Sequence, residues 1–253
     1  MSEYLQEFFS IFHEMPRQGP GSRETTLAAL DMIRSQLPNT PRILEIGCGS
    51  GGSTLDLACF CQGHVIALDN DEHSLERLIE NAQDKGVHRC ITTCFGNMTD
   101  LHFDRGAFDL IWSEGSAYIM GFQRAINYWR PFLCRNGLLV VSELVWTVDT
   151  PPVEAQEYWQ QEYPGMRSLN ETLNQVYAAG YHMLTHFLLD ENDWEANYYT
   201  PMEKIIQSRR CKHPDCDSVK EVCDQLQTEI DVYRKYGYAF DYLFMICKKT
   251  MAA

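Results

Sequence analysis

The chain has 253 residues, 45% of them hydrophobic, and a formal net charge of −14. That length holds one large α/β domain, or a domain with a substantial insertion, and the composition supplies a full core. The acid excess argues against a grip on the phosphates of DNA or RNA, and no apolar run is long enough to span a bilayer.

The chain starts M-S-E-Y-L-Q-E, with acids where a signal peptide carries bases, so the expected location is cytoplasmic. Ten cysteines are scattered through glycine loop, strands and helix ends, which suits buried thiols in a reducing compartment. Cys211-Lys-His213-Pro-Asp-Cys216, with Cys223 downstream, matches no usual C-x2-C pair, and no metal site is expected.

Residues 4–15 are aromatic-rich (Tyr4, Phe8, Phe9, Phe12) and partly helical in spacing, and Pro16 to Ser22 then breaks the pattern. A helix is predicted over 23–37. From there strands and helices alternate, the pattern of a parallel sheet. Strands are predicted at 42–46, 64–68, 91–95, 109–113, 137–144, 182–188 and 242–248, and helices near 53–60, 72–85, 122–132, 169–179 and 218–235. The connections at 146–168 and 190–241 are longer than such a core requires, and long connections are usually functional covers or carry structure of their own.

The most informative run is R-I-L-E-I-G-C-G-S-G-G-S-T from Arg42: an apolar strand, a glycine loop, then a helix start. Glycines let the backbone turn tightly and approach a ligand closely. Gly47, Gly49 and Gly52 satisfy G-x-G-x-x-G, the dinucleotide fingerprint. Glu45 discriminates: a buried carboxylate is costly unless a cation or several donors compensate, and a pyrophosphate would repel it where an ammonium group would not. The strand H-V-I-A-L-D-N ends in Asp69 and Asn70, about twenty residues past the loop, where a carboxylate reaches ribose hydroxyls. A helix cap is the other reading of Asp69.

These landmarks resemble the class I methyltransferases that use S-adenosylmethionine (SAM), whose first motif is typically [D/E]-x-G-x-G-x-G. The run W-S-E-G after the fourth strand, S-E-L-V-W on the fifth and P-R-Q-G-P-G-S before the first core helix are similar to UbiE-like bacterial small-molecule methyltransferases. The resemblance implies a Rossmann-like α/β fold: a seven-stranded sheet with its last strand antiparallel, helices on both faces and substrate-capping insertions. One domain would fill residues 1–253: a helical lid at 1–40, the core at 41–189, a cap insertion at 190–240, and the last strand and tail at 241–253.

The resemblance further implies that Gly47, Gly49, Glu45, Asp69 and Asn70 hold SAM, with Asn97 accepting from the adenine amino group and Met98 packing on the ring; a plain turn is the other reading of Gly96-Asn97-Met98. Glu114 and Gly115 would flank the methionyl part; substrate contact and a structural cap are the other readings of Glu114. Gln18 and Gly19 are expected to fold over the cleft, with Phe8, Phe9 and Phe12 lining the acceptor side. Tyr118, Glu143, His13 and Tyr198 are candidate bases, none with a partner at recognisable spacing, and Trp146, Trp159, Trp194, Tyr198 and Tyr199 are candidates for an aromatic enclosure. The acceptor is expected to be a small molecule, with a homodimer left open. A protein or RNA acceptor, or SAM binding without catalysis, are the alternatives.

Overall fold

A computed structural model describes residues 2–250. Its strands are β1 (Arg42–Ile46), β2 (His64–Asp69), β3 (Ile91–Phe95), β4 (Phe108–Ser113), β5 (Leu133–Trp146), β6 (Arg167–Ser168), β7 (Tyr181–Leu188) and β8 (Phe240–Lys249). They form one sheet in the order β3-β2-β1-β4-β5-β8-β7, with β6 beside β5. The first five strands pair in parallel, whereas β8 runs antiparallel to both β5 and β7. The seven strands and the reversed last strand match the expectation. The two-residue β6 is an addition, made where Val145 and Trp146 extend β5 far enough to pair with Arg167 and Ser168.

The chain leaves β1 toward β2 and β3, then returns to β4 on the other side of β1. In open α/β sheets such a switch opens a crevice at the carboxyl ends of the strands, where ligands bind. Both faces of the sheet are covered. Side chains alternate along a strand, so Leu138 and Val140 enter the core on one face while Leu139 and Val141 enter the core on the other.

Ten α-helices pack around the sheet among the described residues: α1 (Glu3–Glu14), α2 (Arg23–Ile33), α3 (Thr54–Phe60), α4 (Glu72–Asp84), α5 (Phe122–Trp129), α6 (Val153–Glu162), α7 (Leu169–Ala178), α8 (Glu191–Trp194), α9 (Thr200–Lys212) and α10 (Asp217–Tyr236). The long connection after β5 contains α6. The connection between β7 and β8 holds α8, a π-helical turn (Glu195–Tyr199), α9 and α10, of which the sequence pattern disclosed only α10. On α10, Val219, Val222, Cys223, Leu226 and Ile230 recur at helical spacing and are buried.

The N-terminal segment is anchored to this second connection. Ile11 and Met15 are fully buried in the same core as Trp194, Tyr199 and Leu226. Arg209 of α9 pairs with both Glu7 and Glu14 of α1. Ser22 caps α2 by accepting from the Thr25 amide. Gly21 donates to the Asp193 carbonyl at 3.1 Å, and the Thr25 hydroxyl donates to the Asp193 carboxylate at 2.6 Å. Residues 16–22, expected as a break in the pattern, thus form a strap with defined partners at both ends.

Candidate cofactor and acceptor site

A single cavity of about 650 Å³ lies over the carboxyl ends of β1, β2 and β4, within the usual range for small-ligand sites. One end is built by the glycine loop after β1. The Gly47 and Cys48 amides both donate to the Leu68 carbonyl, tying the loop to the end of β2. Gly47 has φ +72°, and a Cβ there would meet the Ser116 side chain at 2.5 Å. Gly49 has φ +52°, and a Cβ there would run into the Gln18 carboxamide, closer still. Both positions therefore require glycine for backbone conformation and for close approach.

Asp69 closes the loop from the side. Its Oδ2 accepts from the Gly49 amide at 2.8 Å and its Oδ1 from the Asp71 amide at 3.0 Å, leaving acceptor capacity on each oxygen. Burial raises its pKa and those backbone bonds oppose the rise. The residue preceding α4 is Asp71 and not Asp69, so Asp69 serves the loop and the cavity wall, not the helix start. Gln18 crosses the loop from above: its Oε1 accepts from the Ser50 amide at 2.9 Å, and its Nε2 donates to Ser74 Oγ at 3.1 Å. Ser74 in turn donates to Asp71, which His13 meets at 2.6 Å. Burial works against the Asp71 charge, yet the Ser74 and His13 bonds hold its pKa below the usual range.

Gln18, Gly19, Gly47, Gly49, Asp69, Asn70, Asn97, Met98, Glu114 and Gly115 all line this cavity, as does Tyr118. Three of the expected residues do not. Glu45 lies beneath the loop at 1% exposure, where it accepts from Ser53 Oγ and burial pushes its carboxyl up to about 7. Glu143 opens instead on a smaller recess of about 280 Å³ beside Arg124 and Arg167. There it accepts from the Tyr163 hydroxyl, and burial pushes it up to about 8. His13 stays off the wall because its ring is engaged by Asp71 and packed on His73, centroids 4.2 Å apart.

Two further expectations are altered. The Asn97 carbonyl accepts from the Thr99 amide and hydroxyl at 2.9 and 2.8 Å, so its acceptor capacity is spent on a local turn. Glu114 accepts from Arg17, Thr26 and Trp112 Nε1, the last at 2.7 Å, which favours the structural reading of that residue. Arg17 is the residue that sequence reasoning overlooked here: it sits on the cavity wall, and Glu114 holds it.

The other end of the cavity is aromatic. Phe8, Phe9 and Phe12 of α1 line it together with Trp159, Trp194 and Tyr198. Trp146 and Tyr199 belong to the core behind it, not to the wall. Glu162, Gln225 and Glu229 also face this compartment. Glu229 accepts from the Tyr199 hydroxyl at 3.0 Å, and burial pushes its carboxyl up to about 7. The signal was present in the sequence, since an acid falls between Leu226 and Ile230 on the apolar face of α10. All ten cysteines are free thiols.

Residues 43–137 match the family described as Methyltransferase domain. Among curated proteins, the chain is 23% identical to the sterol 24-C-methyltransferase of Kluyveromyces lactis, over 63% of this chain and 45% of that one. It is 30% identical to the ribosomal protein L11 methyltransferase of Thermosipho melanesiensis, over 50% of this chain and 47% of that one. The chain thus spans about half the length of these relatives. A solved SAM-dependent methyltransferase from Geobacter sulfurreducens, in complex with S-adenosylhomocysteine (SAH), superposes with a TM-score of 0.84. Identity there is 19%, with 96% of this chain and 97% of that one covered. The fold is that of the class I SAM-dependent methyltransferases. Residues 43–137 are the part of the chain that resembles the Methyltransferase domain family.

Proposed function

We propose that the chain transfers a methyl group from SAM to a small organic acceptor. The observation that carries this reading is one cavity with two unlike ends: the glycine-loop amides with Asp69 at one, an aromatic compartment at the other. The side-chain-free cradle at Gly47 and Gly49 and the spare lone pairs of Asp69 fit a nucleoside and its ribose hydroxyls. Met98 supplies an apolar surface for the base. Gln18 and the strap around it cover the loop, so residues 1–40 act as a lid and residues 190–240 as a cap over the acceptor.

SAM supplies a methyl group on a sulfonium, already a good electrophile. The protein's contribution is therefore alignment of the acceptor and exclusion of water, which in well-oriented reactions is worth roughly 7–11 kcal/mol. Phe8, Phe9, Phe12 and Trp159 provide the dry wall that this needs. The W-S-E-G run and the aromatic compartment support the small-molecule branch similar to UbiE-like enzymes. The acid excess counts against an RNA acceptor, and the free thiols suit a reducing, cytoplasmic location.

The test is transfer of labelled methyl from SAM into separated pools of small metabolites, protein and RNA. Label is expected in the small-molecule pool. Label confined to protein or RNA would overturn the acceptor assignment, and no transfer into any pool would favour SAM binding without catalysis.

A further inference from the structure

We propose that the acceptor is a basic amine, held as its ammonium ion between the carboxylates of Glu229 and Glu162 and the aromatic rings of the distal compartment. The inference rests on the reading of the cavity as a SAM methyltransferase site, and deepens it by naming the chemistry of the acceptor.

The charge on the wall is one-sided. Arg17 is the only Lys or Arg lining the cavity among the described residues, and its guanidinium is engaged by Glu114 at the cofactor end. The distal compartment holds two carboxylates, Glu162 from α6 and Glu229 from α10, and no cationic side chain. An anionic acceptor would meet only like charge there. A neutral alcohol would leave the Glu229 carboxylate without a counter-charge, while Glu162, exposed and accepting from Gln225, adds to the negative field.

Glu229 is placed where a carboxylate is costly without a cation. Its one hydrogen bond within the protein comes from the Tyr199 hydroxyl. Around it lie phenols: beyond the effect of burial, its charge raises the pKa of Tyr118, Tyr198 and Tyr242, all of which line the cavity. Trp159 and Trp194 face the same space. Aromatic faces attract ammonium groups, most strongly where water is excluded. Carboxylate and rings therefore select the same ligand chemistry. Trp159, 8% exposed, adds a donor with no partner at Nε1, suited to an acceptor atom elsewhere on the same molecule.

The transfer then balances. The bound ammonium gives a proton to the Glu229 carboxylate, and the freed nitrogen lone pair forms the N–CH3 bond. The CH3–S bond breaks with its electron pair retained by sulfur as a thioether. The nitrogen carries the positive charge that sulfur gives up, and the proton on Glu229 passes to water as product leaves.

The experiment uses the full chain. SAM and SAH binding is measured first by calorimetry; failure there overturns the methyltransferase reading itself. With SAH saturating, three probes of one shape are titrated: 2-phenylethylamine, 2-phenylethanol and phenylacetate. An aliphatic series of butylamine, butan-1-ol and butanoate follows. In at least one series the amine is expected to bind about tenfold or more tighter than its counterparts, a difference of about 1.4 kcal/mol. Glu229→Gln, near-isosteric, should remove most of that preference while SAH binding persists; Glu162→Gln, at an exposed position that does not endanger the fold, should reduce it less. Absence of any amine preference in both series, failure of every probe to bind included, overturns the proposal. So does an amine preference that survives both substitutions.

Discussion

Gln18 and Gly49 compete for one volume: the Gln18 carboxamide accepts from the Ser50 amide at 2.9 Å and fills the space that any side chain at position 49 would need. A segment outside the core sheet thus completes the glycine loop. Gly49→Ala is expected to cost about 1–2 kcal/mol in backbone strain alone, and the clash with Gln18 adds to it. SAM affinity should fall by about tenfold or more, and the double variant Gly49→Ala with Gln18→Ala should recover part of the loss. Calorimetric titration of all three proteins checks this; equal losses in the single and double variants would mean that Gln18 is not what restricts the position.

Asp69→Ala removes the acceptor for the Gly49 and Asp71 amides as well as the carboxylate offered to a ribose. Hydrogen bonds to charged groups are worth about 1.5–3 kcal/mol each. SAM binding should weaken by roughly 100-fold, with Asp69→Asn intermediate because one carbonyl oxygen remains. Unchanged SAM affinity in the alanine variant would reduce Asp69 to a loop brace.

Arg17 and Glu114 form an ion pair with side chains only 15% and 10% exposed. Removing one member of a buried pair typically costs about 3–5 kcal/mol, because the other charge is left without a partner. Arg17→Met should therefore lower unfolding stability by more than the double variant Arg17→Met with Glu114→Gln. Urea denaturation of the two proteins gives the comparison, and a greater loss in the double variant would contradict it.

Glu143 sets a pH dependence. Burial raises its folded pKa to about 8 from the ordinary 4.5, so between those values the folded chain holds a proton that the unfolded chain has lost. The stabilising contribution is full below about pH 4.5 and is lost as pH rises through about 8. A shift of this size corresponds to at most about 4–5 kcal/mol. Glu45, Glu229 and Asp241 add slopes of the same sign centred lower, near 7, so the largest share of the slope in the segment around 8 comes from Glu143. Glu143→Gln stays neutral and still accepts from Tyr163; its stability should be flatter across that segment in denaturant titrations at stepped pH. An unchanged slope would place the titrating group elsewhere.

The sheet was legible because the strands are largely apolar runs, those of β1 to β4 ended by glycine or acid, and the loop at Gly47 and Gly49 announced itself by composition. Asp69 was legible from its distance beyond that loop. Glu45 was legible as a buried carboxylate beside the loop, and the structure places it off the cavity wall, accepting from Ser53. At Asn97, which lines the cavity, the hydrogen bonds from the Thr99 amide and hydroxyl favour the plain-turn reading. Arg17 was invisible as a site residue because its partner, Glu114, lies 97 residues away, whereas Glu229 showed only as an acid on the apolar face of α10, with its partner Tyr199 30 residues off. Helix α9 was missed because only Met202 and Ile206 of its thirteen residues are buried, too few for a visible apolar stripe.

The account stands or falls on which nucleotide the cradle takes. Calorimetric titration of the full chain with SAM, SAH and NAD, under one set of conditions, is the most direct test. Saturable one-to-one binding of SAM and SAH with no heat from NAD is the result expected from the loop at Gly47 and Gly49, Asp69 at the end of β2 and the match of residues 43–137 to the methyltransferase family. Saturable binding of NAD, with no heat from either SAM or SAH, would contradict it.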